Sequence, residues 1–387
     1  MVPLSETVCS WIRYTSSSDI PRTRVRESRI RSHMALSLPN LNRRVVGLDI
    51  GSSCIKTIEL KSRRRGGYQL VSLGMEELSP DCIVDGVIIS KLPVCDVIGR
   101  IFVQQHIRNK RVATSISGHS VIVKKITLPL QSEEELAESI RWEAEQYIPF
   151  DIGDVNLDYQ VLGENTNSGN LDVLLVAVKK EKITDHTSVI TMAGKTPVVV
   201  DVDAFALLNA YEVNYRPSNR DTVALLDIGA SVMTINIVSG TDFLFTRDVG
   251  VGGNQYTDFL QKEFNLSFAN AQALKHGEPV DGIDPAEAQH IIDSVTEIIC
   301  LEIQKTFDFV KSTTTIERVD RMLISGGASH TPNLIETLAR KFAIPAERFD
   351  SFKNVSFDPK QFPPKVVQEH SPDLAIAIGL ALRSSDE

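Results

Sequence analysis

Two aspartates set in the same short phrase carry the strongest chemical signal in this sequence. Val46-Gly-Leu-Asp49-Ile-Gly51-Ser52-Ser53 returns later as Ala224-Leu-Leu-Asp227-Ile-Gly229-Ala230-Ser231. In each copy an apolar strand ends on a carboxylate, a glycine permits a tight turn, and a hydroxyl residue follows before the next strand. The backbone amides of such a turn form a nest for phosphate oxygens. A strand-end aspartate suits hydrated Mg²⁺, which takes one or two carboxylates together with the phosphates themselves. A single Asp-Ile-Gly reads as an ordinary β-turn. Its duplication in matching context makes a clamp, with Asp49 and Asp227 for the metal and Gly51, Ser52, Ser53, Gly229, Ala230 and Ser231 for phosphate.

Two glycine turns add to this. Met322-Leu-Ile-Ser-Gly326-Gly327-Ala328-Ser329 is an apolar strand running into paired glycines, where missing Cβ atoms let a flat ligand lie against backbone. A helix is expected beyond it, with Ser329 or Thr331 as N-cap and Pro332 in the first turn; its positive end suits phosphate. Val249-Gly-Val-Gly252-Gly253-Asn254 is a second glycine turn, feeding a helix over Gln255 to Phe264, and a plain loop explains it equally well. His119, His186 and His330 lack metal-ligand spacing and read as surface or core residues.

These residues must be positioned by an α/β chain. From Arg44 onward, β-branched runs alternate with helical stretches. Strands are expected at Val45 to Ile50, Cys54 to Leu60, Val112 to Ser117, Ser120 to Leu128, Leu171 to Lys179 and Thr222 to Asp227, with a hairpin loop over Asn165 to Asn170. Ser132 and Glu135 form a capping box opening a helix that stops near Pro149. A second long helix covers Pro285 to Lys311, with apolar residues at helical spacing. A repeat this widely spaced is a duplicated domain, since a solenoid would repeat every ~20 to 50 residues.

Composition narrows the class. A chain of 387 residues allows two or three compact units. The net charge of -9 offers no overall footprint for nucleic acid, and no apolar run approaches the roughly 20 residues that span a bilayer. The five cysteines form no C-x-x-C pair, which argues against a disulfide framework or zinc ribbon and for a reducing compartment. Residues 1 to 44 hold eight arginines against Glu6, Asp19 and Glu27, without the apolar stretch of a secretory signal. This basic segment reads as a disordered leader, or as a start assigned upstream of Met34. Lys61-Ser-Arg63-Arg64-Arg65 is a charge run at a hairpin tip, a solvated turn or a contact for anionic lipid.

In this order the pieces resemble the superfamily of actin, sugar kinases and heat-shock ATPases. Asp49 to Lys56 is similar to its first phosphate motif, Asp227 to Thr234 to the second, and Ile324 to Ala328 to the adenosine motif. Val200 to Leu207 and Pro372 to Ala381 resemble its two connecting helices. The resemblance implies an actin-like, ribonuclease H-like two-lobed α/β fold binding ATP with Mg²⁺. Expected boundaries are a leader over 1–40, a first lobe over 41–220 with an FtsA-like inserted subdomain at about 68–180, a second lobe over 221–370, and a connecting helix over 371–387. It also implies nucleotide contacts from Lys56, Gly252, Gly253 and Gly327, and places Asp203 where related ATPases orient the attacking water. Where the superfamily commonly grips adenosine with a Glu and a Lys three residues later, this chain has Gln272 and Lys275. Gln272 can still meet ribose hydroxyls, without the charge-assisted bond of a carboxylate. Slow or absent hydrolysis is expected.

Within the superfamily, Arg141-Trp142-Glu-Ala-Glu-Gln-Tyr147-Ile148-Pro-Phe150, followed by Leu157-Asp-Tyr-Gln-Val-Leu162, resembles the PilM family of type IV pilus assembly proteins. That family implies a cytoplasmic protein that docks the cytoplasmic N-terminus of the inner-membrane protein PilN and meets the membrane only through it, with self-association open. Trp142, Tyr147, Ile148 and Phe150 suit either core packing or a partner groove beside the strands at 112–117 and 120–128, and the resemblance favours the groove. The polar end Arg383 to Glu387 carries no amphipathic membrane helix of the FtsA kind. An FtsA-type division protein and a small-molecule kinase, with Asp203 or Asp227 as base, are the alternatives.

Overall fold

The duplicated phrase folds twice in the same way. In the computed structural model, which describes residues 44–64, 66–165, 169–217, 221–314, 316 and 318–383, each copy is an antiparallel hairpin at the centre of a sheet. The first lobe begins with β1 (Val46–Ile50), β2 (Cys54–Ser62) and β3 (Tyr68–Glu77). A small hairpin of β4 (Ile83–Val84) and β5 (Val87–Ile88) leads to α1 (Lys91–Gln104) and β6 (Arg111–Ile116). An inserted unit follows: β7 (Val121–Pro129), α2 (Glu133–Glu145), β8 (Val155–Asn165) and β9 (Asn170–Lys179). The chain then returns through α3 (Lys180–Met192), β10 (Thr196–Val202) and α4 (Asp203–Tyr215).

The second lobe repeats the plan without the insert. It holds β11 (Thr222–Ile228), β12 (Met233–Ser239), β13 (Asp242–Val249), α5 (Gly253–Phe264), α6 (Phe268–Lys275) and α7 (Pro285–Thr313). These are followed by β14 (Arg321–Ser325), α8 (Leu334–Phe342) and β15 (Ala346–Arg348). The strand orders β10-β6-β1-β2-β3 and β15-β14-β11-β12-β13 correspond position by position. In both, the hairpin strands pair antiparallel and the remaining pairs run parallel. Central strands covered on both faces read as apolar runs, and Val223 to Leu226 are all fully buried.

The last segment crosses back. Strand β16 (Val355–Ser356) adds in parallel to β3, and α9 (Pro364–Glu369) and α10 (Ala375–Ala381) follow. Helix α10 lies at backbone distance from both neighbours: a Cβ on Gly47 would fall 2.2 Å from the Ala377 carbonyl oxygen, and one on Gly379 would fall 1.7 Å from that of Ala206. One apolar cluster accordingly joins the lobes, with Ile58, Ala206, Tyr211, Leu225, Leu323 and Ile378 in contact around α4 and α10.

Three boundaries differ from the sequence reading. Residues 68–116, expected inside the insert, supply β3, α1 and β6 to the first lobe, so the separate sheet β7-β9-β8 spans 121–179 and Val112 to Ile116 pair with β1 and β10 rather than lying beside α2. Residues 355–356, expected in the second lobe, complete the first sheet. After Gly326 the chain makes a 3-10 turn over Gly327–His330, and α8 starts later, at Leu334, behind Asn333 in the left-handed conformation rather than behind Ser329 or Thr331. The capping box at Ser132 is present in full, and α2 buries Leu136, Ile140 and Ala144 against the insert sheet. The leader, Arg65, the hairpin tip at 166–168 and residues 384–387 lie outside the described residues.

Candidate functional site

The two aspartate turns are built alike. The Gly51 N–H donates to the Cys54 carbonyl at 3.2 Å, and the Gly229 N–H donates to the Val232 carbonyl at 3.0 Å. Across each hairpin Asp49 faces Lys56 and Asp227 faces Thr234. Lys56 Nζ donates to Asp49 Oδ2 at 2.9 Å, and Ser325 Oγ, from the neighbouring parallel strand, donates to Asp227 Oδ1 at 2.7 Å. Burial works against the Lys56 ammonium, yet Asp49, Asp227 and Asp373 outweigh it and hold its pKa above the ordinary value. Burial pushes Asp227 up to about 6, against the pull of Lys56 and the Ser325 hydroxyl.

Asp203 opens α4 beside the same centre. Burial and the neighbouring Asp49 charge push it up to about 7, against the pull of the Ser115 and Ser117 hydroxyls. Carboxylates thus outnumber the ammonium here, and hard oxygen donors fit Mg²⁺. Among the described residues no three His, Cys, Asp or Glu side chains gather closely enough to hold a metal alone. Mg²⁺ can also be held by one or two carboxylates with water and phosphate, and Asp49 and Asp227 are the carboxylates that could serve.

The glycine turns divide into those that pack and those that open. The Gly253 N–H donates to the Gly229 carbonyl and the Asn254 N–H to the Ala230 carbonyl, each at 2.8 Å, and a Cβ on Gly252 would lie 2.6 Å from both oxygens. Gly252 and Gly253 therefore brace the Asp227 turn, and the Gly253 amide is already engaged. Asn254 Nδ2 also reaches Ser231 Oγ at 3.3 Å. Gly326, with φ +84°, sits against the Ile228 carbonyl, where a Cβ would come within 2.4 Å; Gly327 opens onto empty space. Ala328, expected to line the ligand, is buried in the second-lobe core.

Gln272 and Lys275 come together next to Gly253. Lys275 Nζ donates to Gln272 Oε1 at 3.2 Å, and the same oxygen accepts from Thr257 Oγ1 at 3.3 Å. Among the described residues no carboxylate pairs with Lys275, and burial pulls its pKa down to about 8. Such an ammonium suits an electron-rich ligand atom. Sequence reasoning missed Asp373, whose two oxygens meet His330 Nε2 at 3.0 Å and His370 Nδ1 at 3.1 Å. The i, i+3 spacing of His370 and Asp373 was a readable signal; the His330 contact, across the fold, was not.

The four expected partner residues do not share one surface. Trp142 is 73% exposed, whereas Ile148 is 5% exposed and belongs to the core of the insert, which corrects its assignment as a contact residue. The reason is the turn closing α2: the Tyr147 and Ile148 amides both return to the Ala144 carbonyl, which tucks Ile148 under the helix. Tyr147 and Phe150 are half-buried, with Lys124 Nζ 4.9 Å from the Tyr147 ring centroid and Lys179 Nζ 4.4 Å from that of Phe150. Lys124 lies on β7, an edge strand of the insert sheet, and β13 is an edge strand of the second-lobe sheet. Between them is a cavity of about 240 Å³ lined by residues including Gly118, Val121, Val123, Val202, Thr246 and Asp248. A larger cavity of about 570 Å³, near Phe307, Val310 and Ile344, touches none of the motif residues.

Comparison with known proteins decides the family. The profile described as "Type IV pilus assembly protein PilM" matches residues 47–385. The chain belongs to the PilM family. A chain of a solved "PilM-PilN type IV pilus biogenesis complex" is 26% identical, with 89% of this chain and 100% of that chain covered and a TM-score of 0.79. An ethanolamine utilization protein EutJ from Carboxydothermus hydrogenoformans is 13% identical, covers 89% of this chain and 91% of its own, and has a TM-score of 0.54. A diol dehydratase-reactivating factor is 9% identical over 88% of this chain and 99% of its own, with a TM-score of 0.52. These two bear on the fold alone. The PilM-family chain is a type IV pilus assembly protein with the expected actin-like fold. No helix among the described residues is long and apolar enough to cross a membrane.

Proposed function

We propose that this PilM-family chain binds Mg-ATP between its two aspartate turns and docks the cytoplasmic N-terminus of a PilN-like inner-membrane protein, reaching the membrane through that partner. The complex in which its structural relative was solved, with PilN, supports the partner class. Phosphate would meet the turns at Gly51–Ser53 and Gly229–Ser231 and the Lys56 ammonium, with the metal between Asp49 and Asp227. Adenosine would lie over Gly327 toward Gln272 and Lys275.

The observation that carries the partner reading is the outer edge of β7, which pairs with no strand among the described residues and borders the 240 Å³ cavity opposite β13. An extended peptide can add its backbone hydrogen bonds to such an edge and place alternate side chains against apolar walls. Val121 and Val123 supply that wall, while Tyr147, over Lys124, stands on the opposite face of the same edge strand. Titration calorimetry with a synthetic peptide of the PilN cytoplasmic N-terminus tests this directly. Binding that protects the β7 amides from hydrogen exchange is expected; binding that leaves them unprotected would move the site off this edge.

A further inference from the structure

The short turn joining the first lobe to the insert lies between a carboxylate of each lobe, Asp203 and Asp248. After β6 the chain runs through Ser117, Gly118, His119 and Ser120 into β7. The Gly118 carbonyl accepts from the Val121 N–H at 3.0 Å, and the Ser120 carbonyl accepts from the Lys179 N–H at 3.0 Å, so this turn is stitched to both strands at the base of the insert. On one side, the hydroxyls of Ser115 and Ser117 lie close enough to Asp203 of the cleft to favour its charged form. On the other, the Gly118 N–H donates to Asp248 Oδ2 at 2.6 Å, and Asp248 belongs to the second lobe.

Asp248 is tied in turn to the duplicated hairpin. Its other oxygen accepts from Thr234 Oγ1 at 2.7 Å, and Thr234 faces both Asp248 on β13 and Asp227 on β11 across the sheet. The corresponding row of the first lobe reads Asp49, Lys56 and Met75. The carboxylate therefore has no counterpart in the other copy and is not part of the repeated clamp. Its fixed partner is a backbone amide of the opposite lobe, a charge-assisted bond across the cleft mouth.

We propose that Asp248 is a positioning residue: acting through Gly118, it locks the base of β7 to the second lobe, so that the partner edge moves with that lobe and partner affinity is coupled to occupation of the nucleotide cleft. This rests on the reading that the cleft takes Mg-ATP and the β7 edge takes the PilN-like peptide. A ligand drawing Asp49, Asp203 and Asp227 together shifts Ser115–Gly118 and Asp248 as one unit, and the edge with them. By linkage, the peptide must change nucleotide affinity by the same factor.

The experiment uses the full chain and two variants. Asp248→Ala removes both hydrogen bonds; Asp248→Asn keeps them, since its Oδ1 accepts from Gly118 and the Thr234 hydroxyl accepts from its Nδ2. In ligand-free protein, Asp248→Ala is expected to speed amide exchange over residues 118–124 at least tenfold, while Asp248→Asn stays near the wild type. Unchanged exchange in the alanine variant overturns the latch. Affinity of the synthetic PilN N-terminal peptide is then measured with and without Mg-ATP. A wild-type ratio of fivefold or more, collapsing toward one in Asp248→Ala and retained in Asp248→Asn, is expected. A wild-type ratio of one, with both ligands bound, overturns the coupling. Failure of wild-type protein to bind either ligand refutes the functional reading instead, and the exchange arm still decides whether Asp248 holds the turn.

Discussion

Lys56 meets Asp49 at 2.9 Å directly across the first hairpin, and in the same register of the second hairpin Thr234 faces Asp227. The duplication is broken at this position. A hydroxyl replaces an ammonium, so Lys56 acts on both acid turns and carboxylates remain in excess around it.

Asp227→Ala is therefore expected to weaken Mg-ATP binding tenfold or more, about 1.4 kcal/mol. Titration calorimetry reads the affinity. An unaltered value would remove Asp227 from the metal site and leave the Ser325 hydrogen bond as its only role.

Stability should depend on pH through Asp203. Its folded pKa of about 7 lies above the ordinary 3.8, so between those values the native state holds a proton that the unfolded chain has released. The contribution of this group to stability thus falls as pH rises through the window, and the loss is complete above the folded pKa. In ligand-free protein, Asp203→Asn should melt close to the wild type at pH 4 and above it at pH 8. A gap that does not widen with pH contradicts this account.

Gly326→Ala and Gly327→Ala should part company. At Gly326 a Cβ would fall 2.4 Å from the Ile228 carbonyl oxygen at a positive φ, so its variant is expected to lose stability outright. The Gly327→Ala methyl meets empty space, so this variant is expected to melt normally and lose nucleotide affinity. Full affinity in a folded Gly327→Ala protein would place the base elsewhere.

Much of this was legible in the residues themselves. The aspartate phrase and its copy foretold the two hairpins, and Ser132 with Glu135 the start of α2. What could not be read depends on pairing across distance. Strand β3 carries no motif, so nothing in Tyr68–Glu77 distinguished the third strand of the first sheet from the start of an insert. Nothing in the sequence around Asp248 points to Gly118, and only the placement of β13 brings the two together. Tyr147, Ile148 and Phe150 are neighbours in sequence, yet the turn closing α2 sends Ile148 inward and leaves the two rings half-exposed.

Those neighbours should respond differently to truncation. Ile148→Ala is expected to cost about 2 to 5 kcal/mol of stability as a buried large-to-small change. Tyr147→Ala should keep the fold and Mg-ATP binding while the PilN peptide loses about 2 kcal/mol of affinity. Trp142→Ala, on the open face of α2, should leave stability unchanged. Peptide affinity intact in a folded Tyr147→Ala, Phe150→Ala double variant would exclude both rings from the interface.

Strand β16 and helix α10 have a consequence for biosynthesis. Val355–Ser356 complete the sheet that Val46–Ile50 begins, and Ala375–Ala381 cover its face. The first lobe therefore cannot finish folding until residues 355–381 have emerged from the ribosome. A fragment of residues 44–217 should be poorly soluble alone and regain order when residues 350–383 are supplied in trans, as a solubility assay would show; a soluble, cooperatively melting fragment would contradict this. Until residues 355–381 have been made, the nascent first lobe keeps an apolar face and an unpaired strand edge in water, and a chain cut before Val355 damages the sheet that Val46 begins.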